Sequence, residues 1–151
     1  MRKIKMGLHN GGATIALTAA LTVVLAGCSL SGRSQQQAKQ QVRNDAAVAA
    51  VHDTLAKTPG VVKVDIGYSN YITNPGAAQA ILTVERGTDL ERVADLVVEA
   101  VWRSQLDPLE SITVGVGDNQ DSSPGLGRIY DVVDKAAELK AKYGPRPVRP
   151  S

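Results

Sequence analysis

The amino-acid sequence predicts an α+β domain of two layers, in which two helices cover one face of a three-stranded sheet. Apolar residues recur with helical spacing in two segments and alternate with polar residues in three, in the order helix, strand, strand, helix, strand. Amphipathic helices and half-buried strands each have one apolar face, and packing the two layers together buries both. The predicted core domain covers residues 44–117.

The first core helix is predicted to begin at Asn44 and to end before Pro59. An asparagine side chain can accept a hydrogen bond from a backbone N–H of the first turn. The residue before a proline avoids helical dihedral angles. The predicted inner face of this helix consists of Val48, Val51, His52 and Leu55.

Two alternating stretches after this helix, VVKVDIGY at 61–68 and AAQAILTV at 77–84, predict a β-hairpin. The predicted buried side chains are Val62, Val64, Ile66, Tyr68, Ala80, Leu82 and Val84. The connecting segment contains Asn74-Pro75-Gly76, which is typical of a turn. It is too long for a tight two-residue connection, so a broad loop is expected.

The second core helix is predicted to begin at Thr88, with Glu91 three residues later. Threonine and glutamate at this spacing form a capping box, in which each side chain satisfies a backbone donor. The helix leads to a third strand, SITVGVG at 111–117. A crossover through a helix makes the second and third strands parallel.

Beyond the core, residues 118–127 are predicted as a loop, residues 128–144 as an amphipathic helix and residues 145–151 as a proline-rich tail. The apolar stripe of this C-terminal helix includes Ile129, Val133 and Leu139. Two helices already suffice for one sheet face. The third is therefore expected to cover the other face, a sheet edge or a partner.

The N-terminal residues 1–27 have the pattern of a secretory signal peptide. Three basic residues precede the uncharged run ATIALTAALTVVLA, which ends in small residues. This run is shorter than the roughly 20 apolar residues that span a bilayer. The polar residues 28–43 that follow are predicted to be a tether, since such a composition buries too little apolar surface to fold. The alternative is that the glutamines at its C-terminal end extend the first core helix, because glutamine and alanine are good helix formers.

The sequence LAGC at 25–28 resembles the lipobox of bacterial lipoproteins. The resemblance implies that diacylglycerol is attached to the thiol of Cys28 and that a peptidase cuts after Gly27. It predicts an extracytoplasmic protein on the outer face of the cell membrane, with membrane lipid as a partner through Cys28. Two acyl chains hold a protein on a membrane stably, whereas one chain does so only marginally.

Charge and cysteine content exclude several functional classes. The leader contains three of the 17 basic residues and none of the 15 acidic ones, so 14 remain against 15 and no nucleic-acid partner is predicted. Lipidation of Cys28, the single cysteine, would leave no thiol for a disulfide, for catalysis or for a metal. Neither His52 nor the acidic pair Asp118 and Asp121 belongs to a recognisable motif. No catalytic residue, metal or cofactor is therefore predicted.

The function predicted from these patterns is that of a protein-binding or assembly module. Two groups of side chains are candidates for partner contact, and the alternative for each is packing onto the domain itself. They are Tyr68, Tyr71 and Ile72 at the hairpin end, and Ile129, Val133 and Leu139 in the C-terminal helix. Two other functions remain open: a small-ligand carrier or enzyme without a recognisable catalytic motif, and a self-assembling scaffold that forms a homo-oligomer.

The segment LAKTPGVVKVDI at 55–66 resembles the opening of several ferredoxin-like domains. Among them are the ring-building domains of lipoproteins in secretion machines, which share the order helix, strand, strand, helix, strand. The resemblance implies a two-layer ferredoxin-like sandwich. The alanine- and valine-rich composition is also similar to that of uncharacterised lipoproteins of actinobacteria. Neither resemblance transfers an activity, because one fold supports many functions.

Overall fold

The computed structural model describes residues 28–118 and 125–148 of the 151-residue chain. Its α+β fold contains a four-stranded mixed sheet in the order β1-β2-β3-β4. The outer pairs β1–β2 and β3–β4 are antiparallel, and the central pair β2–β3 is parallel. The elements are α1 (Cys28–Ala56), β1 (Val61–Tyr71), β2 (Asn74–Val84), α2 (Leu90–Trp102), β3 (Ser111–Asp118), β4 (Leu126–Asp131) and α3 (Ala136–Tyr143).

The hydrophobic core lies between the sheet and the helices, with α1 packed on β1 and α2 on β3. The predicted alternation in β2 and β3 is confirmed, because these side chains are all buried: Ala80, Leu82, Val84, Ile112, Val114 and Val116. In β1 a register shift between Val61 and Lys63 leaves Val62 exposed, so its predicted burial was wrong. The predicted parallel pairing of the second and third strands is confirmed.

The prediction of a three-stranded sheet was wrong, because Leu126–Asp131 forms a fourth strand on the open edge of β3. The predicted helix at 128–144 is correspondingly shortened to α3, Ala136–Tyr143. The apolar residues of the predicted helix have helical spacing, but LGRIYD also alternates. It contains isoleucine and tyrosine, which favour strands, and a glycine, which disfavours a helix. Pairing with β3 satisfies backbone N–H and C=O groups that an unpaired sheet edge would leave exposed. This pairing favours a strand over a helix for Leu126–Asp131.

Helix α1 begins at Cys28 rather than at Asn44, so residues 28–43, predicted to be a tether, belong to it. Asn44 does not cap the helix. Its buried side chain accepts a hydrogen bond from the Asp107 N–H at 3.1 Å and donates one to the Asp107 carbonyl at 3.0 Å. The glutamine-rich segment continues the helix because glutamine and alanine are good helix formers.

The predicted broad loop of the hairpin was also wrong. Strands β1 and β2 continue to Tyr71 and Asn74, and only residues 72–73 connect them. Asn74 stabilises this end by donating a hydrogen bond from its amide to the Ser69 hydroxyl at 2.9 Å. The segment Asn74-Pro75-Gly76 therefore lies within β2 instead of forming the turn.

Helix α2 is capped by Asp89, whose carboxylate accepts a hydrogen bond from the Arg92 N–H at 3.1 Å. The sequence predicted the helix cap at Thr88, but the structure places the cap one residue later, at Asp89. Thr88 instead lies against Gly60, whose φ of 83° is the left-handed conformation that glycine adopts readily. Glu91, the other half of the predicted box, forms an ion pair with Arg128 of β4.

Candidate functional site

One face of the sheet carries no helix among the described residues, and we call it the open sheet face. Pairing registers place its side chains in four rows across the strands. From the hairpin end downward, the rows are Ser69–Ala77–Ser111–Asp131, Gly67–Gln79–Thr113–Ile129, Asp65–Ile81–Gly115–Gly127 and Lys63–Thr83–Gly117. Residues directly opposite each other on neighbouring strands point to the same side.

Two isoleucines give the open sheet face its apolar character. Ile81 of β2 is 51% exposed and Ile129 of β4 is 76% exposed. They lie in adjacent rows on either side of β3, where Thr113 and Gly115 are small enough to leave both accessible. Ile81 leans toward β3, with its side chain 3.7 Å from the position a Cβ of Gly115 would take.

Four glycines lie on this same face, at positions 67, 115, 117 and 127. None of the four has a positive φ, and a Cβ at Gly67, Gly117 or Gly127 would meet nothing within 4 Å. Glycine in a strand costs conformational entropy and contributes no packing. Neither backbone φ nor crowding requires glycine at these positions, and the missing side chains leave the face flat.

The charged rim of the open sheet face lies along β1. Lys63 donates to Asp65 at 2.7 Å, and both side chains are exposed. This hydrogen bond and the charge of Lys63 lower the pKa of Asp65. Asp65 stands beside Ile81 in the same row, so the apolar centre of the face has a polar border on one side.

The hairpin tip, residues 70–75, extends past the last row of the open sheet face. Its aromatic and aliphatic side chains point into solvent, because Tyr71 is 71% exposed and Ile72 is fully exposed. Tyr68, predicted to act with them, instead packs against the core and donates a hydrogen bond to the Pro108 carbonyl at 2.6 Å. Two of the three predicted hairpin residues are thus available for contact.

The three residues predicted on the C-terminal helix are separated by the fold. Ile129 lies on β4 in the open sheet face, and Val133 lies in the following turn, where it is 70% exposed. Leu139 is the buried residue of α3 and belongs to the core, so its predicted role in partner contact was wrong. Sequence reasoning did not single out Ile81 or the glycines, although the alternation of β2 already placed Ile81 opposite the buried residues.

A second polar cluster lies on the helix side and holds α3 and β4 to α2. Asp95 accepts hydrogen bonds from Lys142 at 2.9 Å and from the Tyr143 hydroxyl at 3.4 Å, and Arg128 lies 3.6 Å from it. Burial raises the pKa of Tyr143, and the hydrogen bond to Asp95 raises the pKa of Lys142. Each of these groups has a partner, so the cluster explains how the elements are held together rather than a reaction.

Residues 28–118 and 125–148 contain no group of three or more histidine, cysteine, aspartate and glutamate side chains placed to hold a metal ion. His52 is exposed, outside the buried face predicted for it, and its ring lies 3.4 Å from Asp53. In the same part of the chain, no helix has the length and apolar character needed to cross a membrane. The predicted cleavage site at Gly27 and residue Asp121 lie outside the described residues.

Comparisons with models of protein families, with curated proteins and with solved structures gave no match for this chain.

Proposed function

We propose that this protein is a membrane-anchored, extracytoplasmic lipoprotein that binds another protein through its open sheet face and hairpin tip. The observation that carries the proposal is the exposure of Ile81 and Ile129 on a flat face bordered by glycines without a packing role. The finer resemblance of the core to ferredoxin-like, ring-building domains stays a prediction.

The shape of the open sheet face favours a protein over a small molecule as its ligand. Small molecules bind in concave sites that enclose most of their surface. A glycine in a strand instead permits close approach of another backbone. Exposed tyrosine is common among the residues that dominate binding energy, and Tyr71 stands at the edge of this surface.

The proposed anchor is the diacylglyceryl group that the lipobox resemblance predicts on Cys28. Helix α1 begins at this residue and is continuous to the core. At 1.5 Å per residue, it rises about 24 Å between Cys28 and Asn44, the first buried residue described in it. The anchor would thus hold the core at a distance from the membrane surface at which a second extracytoplasmic protein can reach it.

Site-specific photo-cross-linking in cells tests the proposal. A photoreactive amino acid replaces Ile81 or Ile129 on the open sheet face, and Ala49, exposed on α1, serves as the control position on the opposite side. We expect a discrete product with a different protein from positions 81 and 129 and none from position 49. Products that link two copies of this chain would favour the scaffold, and absence of any discrete product would overturn the proposal.

A substitution on the open sheet face separates an effect on partner binding from an effect on folding. Gly127→Thr adds a side chain where nothing lies within 4 Å, and threonine suits a strand. The variant should keep its melting temperature while the cross-link from position 81 becomes several-fold weaker, because the added side chain keeps a flat partner away. Retention of the full cross-link would contradict a role for the flat face.

A further inference from the structure

The structure contains a groove between α1 and α2, on the opposite side of the molecule from the open sheet face. The two helices run antiparallel. Gln40 and Asn44 of α1 bind Asp107 beyond the end of α2, and Gly60 beyond α1 lies against Thr88 before α2. Helix α1 packs on β1 and α2 packs on β3, and β2 lies between those two strands. A gap therefore separates the outer surfaces of the two helices.

Small side chains keep this groove open. It is open to solvent, with a volume of about 670 Å³, and its walls carry Ala46, Ala50 and Val51 from α1 and Ala100 from α2. A larger residue at any of the alanines would fill the space. The volume falls within the roughly 300–1,000 Å³ of sites that hold small molecules.

The charge in the groove is concentrated at one end. Arg43 of α1 and Arg103 of α2 both line it, near the residues that follow α2. Arg103 has Glu99 as an ion-pair partner at 3.5 Å, whereas the side chain of Arg43 has no hydrogen bond or ion pair with any described residue. Two positive charges against one negative charge leave the lining with a single excess positive charge.

We propose that this groove binds a long-chain fatty acid, with the alkyl chain along the alanines and the carboxylate at Arg43 and Arg103. A carboxylate carries one negative charge and so balances the excess charge of the lining. Arginine binds carboxylates through two parallel hydrogen bonds. The cationic end is also the end nearer Cys28 along α1, which is the membrane side if Cys28 is the anchor.

Photoaffinity labelling of the full-chain protein in phosphatidylcholine vesicles tests the inference, with a palmitate analogue carrying a diazirine and an alkyne. Labelled peptides are then mapped by mass spectrometry. We expect labels in residues 43–54 and 99–105 that excess palmitate displaces and hexadecanol does not. Equal displacement by hexadecanol would overturn the role assigned to the arginines, and stronger displacement by lysophosphatidylglycerol would overturn the choice of a fatty acid.

Paired variants show whether the label reports on the groove. Ala50→Phe fills it from an exposed position, and Ala49→Phe adds the same side chain on α1 outside it. Ala50→Phe and Arg43→Ala should each lower labelling on the order of tenfold, as expected for a lost charge-assisted contact or a filled site. Ala49→Phe and Arg92→Ala should leave the labelling unchanged.

Labelling that survives Ala50→Phe in a folded protein would refute the site. Since cross-linking from Ile81 tests the opposite side, either proposal can fail alone.

Discussion

At the scale of single residues, Asn44 is the buried polar residue that ties α1 to the rest of the chain. Its amide makes two hydrogen bonds with the backbone of Asp107, which lies 63 positions away. An asparagine is suited to this position because it offers one donor and one acceptor side by side. The part of α1 that precedes Asn44 thereby gains a fixed orientation on the core.

We expect Asn44→Leu to lower the free energy of unfolding by about 1–3 kcal/mol, because both buried hydrogen bonds with Asp107 are lost. Urea denaturation followed by circular dichroism measures the change. The control is Gln41→Leu, on the exposed side of the same helix turn, where the side chain donates a hydrogen bond to Asp45. Equal denaturation midpoints for the two variants would show that the Asn44 contact contributes nothing.

Substitutions of two glycines in the hairpin are expected to change the free energy of unfolding in opposite directions. A Cβ at Gly76 would lie 2.9 Å from the backbone of Pro108, and the φ of Gly76 is 54°. Gly76→Ala should therefore cost about 2 kcal/mol or more, from left-handed strain and a clash with backbone. Gly67→Ala meets no atom and should be neutral or stabilise by roughly 0.5–1 kcal/mol. Thermal melting of both variants tests this order, and a destabilised Gly67→Ala would indicate that the fold requires that glycine.

At the scale of elements, α3 is held to α2 by groups that titrate in alkaline solution. Burial raises the pKa of Tyr143, so the folded state favours the neutral phenol, while Asp95 favours the charged form of Lys142. Both raised pKa values give stability that is complete below the unfolded values near 10 and is lost as the pH rises through the folded values.

The free energy of unfolding is thus expected to fall above pH ~10, and Tyr143→Phe should make that fall shallower. Tyr71→Phe, at the exposed hairpin tip, is the control and should keep the full decline. Denaturant titrations from pH 8 to 11 measure both. An identical pH profile for Tyr143→Phe and the unchanged protein would rule out this contribution of Tyr143.

The helices and strands with strong periodicity could be predicted from the sequence, and those that depend on a distant partner could not. The alternation of β2 and β3 and the stripe of α2 reflect burial on one face, which leaves a direct pattern. In contrast, Leu126–Asp131 carries apolar residues compatible with either structure, and the unpaired edge of β3 selects the strand. Likewise, the role of Asn44 depends on Asp107, which the local sequence around the helix does not reveal.

The candidate binding surfaces could also be predicted only in part from the sequence. The sequence pointed to Tyr71 and Ile72 as side chains at the hairpin end and to Ile129 as part of the apolar stripe of a predicted helix, and all three are exposed. It could not show that Ile129 and Ile81 share one face, since that depends on the register of four strands. The groove was also beyond prediction, because its alanines are ordinary helix residues until two helices are set side by side.

At the scale of the whole molecule, the two proposed sites lie on opposite sides of one core, and an anchor at Cys28, as proposed, would determine how both face the membrane. The groove is on the helix side and its cationic end is directed along α1 toward Cys28. The open sheet face is on the other side, bordered by the hairpin tip. A lipid-derived ligand and a protein partner could then be bound at the same time without competing for space.

The proposed orientation toward the membrane depends on an anchor at Cys28, so removal of that thiol is the decisive test. We expect Cys28→Ala to move the protein from the membrane fraction to the soluble fraction, or to leave it unprocessed with residues 1–27 attached, since lipid attachment and cleavage both require the thiol. Ser29→Ala, at the next position, should leave the protein processed and membrane-bound. Fractionation, intact-mass measurement and detergent partitioning of both variants separate these outcomes. Correct processing and full membrane retention of Cys28→Ala would show that another feature holds the protein at the membrane.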